Sequence, residues 1–350
     1  MPAAGSRLGT LINTQETDSM RIPTHSITNV LFASLLAIAG AALPAAGQAA
    51  DYPTSRPINI LVGFPAGGPS DHAARILAAG LEKVWPQAKF IVMNQGGANG
   101  TIAINNVAHA APDGYTLLLG TQSMVNIQYL HKKVPYDTAK DLVPVAMLLK
   151  MPNVLVVGPS VKAKNYAEFM QQVKAAPDKY TVFSSGIGSD PHLAAEEFME
   201  KTGYKMLHVP YKGGAAGLMD MLAGRVDCSF ATLGTVQGQL QKGKVRAFAV
   251  GSEKPYPLLP GVPTFEQLGV KGFAPSAWYG VLAPKGTPAA IVDKLNKAIT
   301  QAMNSKEGVD QLASMGAEPT RLTPEEYNKV YQQDIVESGK LIKGLGIQPS

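Results

Sequence analysis

Phe64-Pro65-Ala66-Gly67-Gly68-Pro69-Ser70-Asp71 lies between two segments of opposite character. Before it, Ile58-Asn-Ile-Leu-Val-Gly63 is a short apolar run that reads as a buried strand. After it, Ala74, Leu77, Ala78, Leu81 and Val84 recur at helical spacing within 71–85. The order is strand, glycine-rich turn, helix. Gly67 and Gly68 let backbone approach a ligand where a Cβ would clash. Ser70 or Asp71 can cap the helix. Amides at a helix start, together with the helix dipole, attract an anion. The plain alternative is an ordinary strand-to-helix loop.

The pattern repeats outward from this turn. Phe90–Met93 reads as a strand and 94–100 as a second glycine-rich turn, with a helix over 101–110 and a strand over 115–119. Within 143–157, Lys150, Pro152 and Asn153 interrupt the apolar run, so the strand expected there is 153–157. Strand and helix then alternate again: helix 166–175, strand 180–184, helix 192–202, strand 206–209, helix 215–223, strand 226–230, helix 235–242, strand 245–250. Pro255, Pro257, Pro260 and Pro263 mark an extended return, and 278–282 is one more strand. Helices over 288–304, 306–315 and 324–343 close the chain, the last with a Thr323/Glu326 capping box. Such alternation argues for parallel sheet built from βαβ units.

With 350 residues, two lobes are expected: 51–153 plus 252–350, and 154–251. Ligands of open α/β sheets bind beyond the carboxyl ends of strands. The turns at 64–71, 184–192 and 210–214 lie at such ends and can face one another across a cleft.

The chain is 45% apolar with a formal charge of +5. Its lysines are scattered, with no basic run, which argues against nucleic acid. Residues 20–50 read as an export signal, with Met20-Arg21, an apolar core over 30–43 and small residues suited to cleavage after Ala49 or Ala50. Translation is then expected to start at Met20. The apolar core is short for a membrane span, and no cysteine precedes Asp51 to carry a lipid anchor. Cys228, the single cysteine, forms no internal disulfide and reads as a buried strand residue.

Ser189, Asp190 and His192 mimic a catalytic triad but fall in one short segment, whereas a triad brings its members from separate elements. There is no Gly-x-Ser-x-Gly elbow and no phosphate fingerprint. His192 is expected in the first turn of its helix, its ring capping or touching a bound anion. The histidines are dispersed without metal-ligand spacing, so neither metal nor cofactor is expected. His208 reads as a satisfied strand residue more readily than as a ligand. Trp278 can pack in the core or line the cleft.

Tyr52-Pro53, Phe64–Gly68 with Asp71, 111–120 (APDGYTLLLG), Pro135-Tyr-Asp137, Ser184-Ser-Gly-x-Gly-Ser189 with His192-Leu193, His208–Gly213 and Leu258–Thr264 (LLPGVPT) together resemble one family. It is that of the Bug-type (Bordetella uptake gene) solute-binding receptors of tripartite tricarboxylate transporters, and the likeness runs from about Tyr52 to Ile347. The resemblance implies an α/β, two-lobed periplasmic-binding-protein fold of the type II, Venus-flytrap kind, each lobe a mainly parallel sheet flanked by helices. It also implies a monomeric periplasmic protein that binds a small carboxylate and hands it to membrane permease subunits.

Carried onto this sequence, the first turn supplies Phe64, Pro65, Ala66, Gly67, Gly68, Ser70 and Asp71. The opposite lobe supplies Ser184, Ser185, Gly186, Ser189 and His192, with Tyr211 and Lys212. Gln122 and Ser123 lie where family side chains vary with ligand. Ala231-Thr232 stands where many members carry Asp-Asn, so the family's amine- or hydroxyl-recognising carboxylate is missing while Thr232 stays among the expected contacts, and Pro69 replaces a common glycine. These departures concern which carboxylate is bound. A sensory receptor presenting its bound form to a membrane kinase is one alternative. A secreted hydrolase using the same cleft is another, and the absence of a nucleophile–base arrangement counts against it.

Overall fold

The computed structural model describes residues 52–97 and 100–349; the expected export signal lies outside them. The first turn joins β1 (Ile58–Val62) to α1 (Pro69–Val84), which leads to β2 (Phe90–Asn94). Helix α2 (Thr101–Ala108) then leads to β3 (Thr116–Thr121), and β1 pairs in parallel with both β2 and β3. Leu77 of α1 is buried on one face of this sheet with Ile60 and Leu117. Leu61 and Leu118 point to the other face and pack with Trp278, Tyr327 and Tyr331. A strand buried on both faces is the natural product of an unbroken apolar run.

Helix α3 (Met124–Leu130) follows Ser123 and leads to β4 (Leu142–Val157), a strand of 16 residues. β4 pairs with β9 (Ser276–Pro284) from Leu142 to Pro152, and with β7 (Cys228–Thr232) from Asn153 to Val157. One strand therefore belongs to both lobes. The expected interruption is absent. Lys150 is an exposed position in an otherwise buried run, and Pro152 sits where one pairing partner gives way to the next, so its missing N–H breaks no continuous ladder.

The second lobe holds α4 (Tyr166–Ala175), β5 (Thr181–Ser184), α5 (Asp190–Thr202), β6 (Leu207–Pro210), α6 (Gly214–Leu222), α7 (Leu233–Gln241) and β8 (Arg246–Val250). β5 pairs in parallel with β6 and β7, whereas β7 and β8 run antiparallel to β4. Each lobe is thus parallel where βαβ units build it and antiparallel where crossing strands join it. The second core is aromatic: Phe198 and Phe230 stand 4.9 Å apart, Phe265 and Phe273 4.8 Å. Because Phe265, Val270 and Phe273 pack there, the segment after β8 stays on the second lobe. That packing extends past residue 252, where the second lobe is expected to end, as far as Phe273. The proline-rich return is tied to β8 by Val250 N donating to Pro263 O and Phe265 N to Val250 O.

Helix α8 (Ala289–Met303), α9 (Lys306–Ser314), the short β10 (Glu318–Pro319) and α10 (Pro324–Gly344) complete the first lobe. The Thr323/Glu326 capping box starts α10, and near its end Ile342 meets Leu130 of the first lobe and Leu193 of the second. Among the described residues no helix is long and apolar enough to cross a membrane.

The two crossings are stitched together at Asn153. Its N–H donates to Pro275 O (2.9 Å), its carbonyl accepts from Gly251 N (2.7 Å), and its Nδ2 donates to Phe230 O (3.0 Å). A Cβ on Gly251 would lie 2.1 Å from Pro275 O, a backbone atom with no room to move aside. Gly251→Ala should therefore destabilise the fold by about 1–3 kcal/mol, read as a lower urea midpoint. An unshifted midpoint would show that the crossing is looser than it looks.

Candidate ligand-binding site

The first turn is closed by its own helix. Gly67 has φ +81°, a conformation that suits glycine, and its N–H donates to Asp71 Oδ2 at 2.9 Å. Asp71 also accepts from Arg75 Nε (3.0 Å) and ion-pairs with its Nη2 (2.9 Å). Burial pushes the Asp71 carboxyl up, but the bonds from Arg75 and Gly67 outweigh it and hold it below the usual carboxylate range. Neither Ser70 nor Asp71 caps α1: Gly68 occupies the N-cap and Pro69 the first helical position. Asp71 shapes the turn from behind and occupies the Gly67 amide. The donors α1 leaves without intrahelical acceptors are those of its first turn.

The turn after β5 repeats the device. Gly188 has φ +78°, and its N–H donates to His192 Nδ1 at 3.0 Å, again four residues on in the first turn of a helix. Ser184 Oγ donates to Gly186 O (3.0 Å), accepts from Gly186 N (3.1 Å) and meets His208 Nε2 at 2.7 Å. The rings of His192 and His208 stack with centroids 4.2 Å apart. Ser184 and His192 are buried, hold the turn together and are not among the residues lining the cavity.

The lobes meet across the cleft. Asn126 Nδ2 of α3 donates to Gly188 O at 2.9 Å. A Cβ on Gly188 would lie 1.8 Å from Leu130 Cδ1, so the approach needs glycine there.

Between the lobes lies a cavity of about 200 Å³. Its first-lobe wall is the run Phe64–Ser70 with Thr121, Ser123 and Tyr279; its second-lobe wall includes Ser185, Ser189, Asp190, Lys212, Gly214, Thr232 and Thr235. Thr121 Oγ1 and Ser123 Oγ are 2.8 Å apart, Thr232 Oγ1 and Thr235 Oγ1 2.9 Å. Each lobe thus presents a hydroxyl pair. Gly186, Tyr211 and Lys212 line an adjoining space of about 780 Å³ that shares Phe64, Pro65 and Ser185 with the first. Tyr211 Oη is engaged with Asp220 at 2.7 Å. Gln122 is not among the residues lining either space, and its backbone N–H donates to Trp278 O.

Sequence reasoning missed Thr121, Asp190, Tyr279 and Thr235 as wall residues. Tyr279 comes from a strand more than 200 residues from the first turn, where no local signal points. Asp190 falls inside the expected 184–192 turn, but its residue type there points to the triad look-alike and not to the wall. That look-alike is no relay: Ser189 Oγ donates to Gly186 O (2.7 Å), while His192 Nδ1 is occupied by Gly188. His192, Glu196 and His208 bring ligand-type atoms within 4.8 Å of one another, a grouping their sequence separation hid. The Gly188 N–H makes Nδ1 the acceptor, so Nε2 carries the proton, 3.6 Å from Glu196, and has no lone pair for a metal.

Burial, then His208 beside it, depresses His192 to about 4. A depressed pKa means the unfolded chain takes the proton first as pH falls below about 6.5. Stability present above that pH is lost on the way down to about 4, by on the order of 3 kcal/mol. His192→Asn, whose Oδ1 can accept from Gly188, should flatten this slope in urea titrations across that range. An unchanged slope would assign the acid sensitivity elsewhere.

Residues 73–347 match the Tripartite tricarboxylate transporter family receptor (TctC) family. Protein BugT of Bordetella pertussis is 36% identical over 320 residues, covering 89% of this chain and 97% of that protein. Among solved structures, Rpa4515 of R. palustris with adipate is 33% identical with a TM-score of 0.81, covering 86% of this chain and all of that one. MatC from Rhodopseudomonas palustris with bound malate is 31% identical with a TM-score of 0.76, covering 82% and 99%. The chain belongs to the tripartite tricarboxylate transporter receptor family.

Proposed function

We propose that this chain is an exported, periplasmic solute receptor that captures a small carboxylate between its lobes. As a monomer, it presents the closed form to the permease subunits of a tripartite tricarboxylate transporter. The cavity wall carries the argument. The start of α1 and the turn before α5 both border one small space, the helix starts leave first-turn amides without intrahelical acceptors, and Lys212 lines the same space. A carboxylate accepts several such bonds with charge-assisted strength. A ligand touching both lobes favours the closed population. The space falls below the roughly 300–1,000 Å³ of drug-sized pockets, which suits a small acid. The adipate and malate bound by relatives support the same ligand class. Ser189 and His192 are each engaged within their own turn, which supports a receptor that releases its ligand chemically unchanged. We place the lobe boundary at Pro152–Asn153 and Pro275–Ser276, with cleavage of the export signal near Ala49 or Ala50.

Thermal-shift screening against mono-, di-, hydroxy- and aromatic carboxylates should find at least one stabilising ligand, since 100 times the dissociation constant adds about 2.7 kcal/mol. A panel without any shift would contradict the proposal. Gly68 has ordinary φ −84°, and a Cβ there meets only Pro65 O, at 3.5 Å. Gly68→Val should therefore fold normally by circular dichroism yet lose about tenfold or more in calorimetric affinity, on the order of 1.4 kcal/mol; wild-type affinity would move the carboxylate off this turn. Lys212 is exposed at the mouth, so Lys212→Ala should weaken binding severalfold at low salt and little at high salt. Equal weakening at both would mean a direct, desolvated contact.

A further inference from the structure

Asp190 is the one acidic side chain among the described residues lining the interlobe cavity, and Lys212 the one basic. Asp190 is the first residue of α5. No described residue hydrogen-bonds or ion-pairs with its carboxyl, unlike Asp71, which Arg75 and Gly67 hold. A bare carboxylate on the wall of a carboxylate site is a contradiction the protein has to resolve. We propose that Asp190 acts as a neutral carboxylic acid in the complex: it takes one proton from solvent when the ligand enters and donates that hydrogen to a ligand carboxylate oxygen. This rests on the carboxylate reading above.

The groups around Asp190 all bear on this. Asp334 of α10 faces it with its own carboxyl engaged by Trp278 Nε1, and Tyr279 of β9 stands across the cavity wall. Lys212 is at the mouth, while His192 and Glu196 follow on its own helix. Burial first, then Asp334, push the Asp190 carboxyl up to about 7. The start of α5 pulls the other way. Its pull is a fraction of the repulsion a second carboxylate exerts at a few ångströms inside a closed cavity. An incoming anion therefore raises the proton affinity of Asp190 further. Binding and proton uptake favour each other, and affinity falls as pH rises above the range in which free Asp190 titrates. His192, depressed to about 4 by burial and His208, titrates well below that range.

Calorimetry with adipate and with malate, each in two buffers of different ionisation enthalpy, reads the proton directly. Adipate offers no hydroxyl or amine for an ionised Asp190 to accept from; malate offers a hydroxyl. Expected is uptake of close to one proton per ligand at about pH 8, with apparent Kd rising up to about tenfold per pH unit above about 7. Asp190→Asn keeps a neutral donor in place and should abolish both the uptake and the slope. Binding without proton uptake, or a slope that survives Asp190→Asn, overturns the proposal and leaves the carboxylate reading standing. So does a malate-specific loss in Asp190→Asn, which would mean an ionised carboxylate accepting the ligand hydroxyl. Binding of neither probe at any pH also overturns it, and the wider panel then decides whether the carboxylate reading falls too.

Discussion

One strand shared between two sheets constrains the rest of the molecule. β4 enters the first lobe at Leu142 and leaves the second at Val157, and β9 returns beside it. Two adjacent, hydrogen-bonded crossings at Asn153 and Pro275 join the lobes at one line. The two walls of the cleft thus lie on different sheets held together by one strand.

The cleft walls use the same device twice. In each lobe a strand ends in a turn containing a glycine at positive φ, and a side chain from the first turn of the next helix holds that glycine's N–H. Asp71 performs this as an ionised carboxylate anchored by Arg75; His192 performs it as a neutral imidazole stacked on His208. Both groups lie behind their turns. They hold in place turns that border the cavity. Rigid turns lose little freedom on binding, which favours affinity. The second turn also touches the first lobe through Asn126 and Leu130. The backbone that lines the cavity therefore also forms part of the contact between lobes.

Much of this was legible in the sequence, because strand, turn and helix follow one another with periodicities of two and 3.6. The three turns named from their glycines all border the cavity or the adjoining space. What escaped notice depends on distant partners. Lys150 and Pro152 looked like a break because sequence does not show a strand changing partners between them. Helix α3 is buried on nearly every side, so it carries no amphipathic signal. Phe265 and Phe273 join the second core through contacts with residues some seventy positions earlier, such as Phe198. The roles of Asp71 and His192 as turn-holders rest on hydrogen-bond geometry, which residue type alone leaves open between capping, ligand contact and support.

The central claim is that one carboxylate ligand touches both lobes at once. A crystal structure of the protein with its tightest-binding carboxylate tests this most directly. The account predicts carboxylate oxygens within hydrogen-bond distance of the turn at the start of α1 and of the wall formed by Ser185, Ser189 and Asp190. A ligand bound on one lobe only, or outside the space between them, would contradict it.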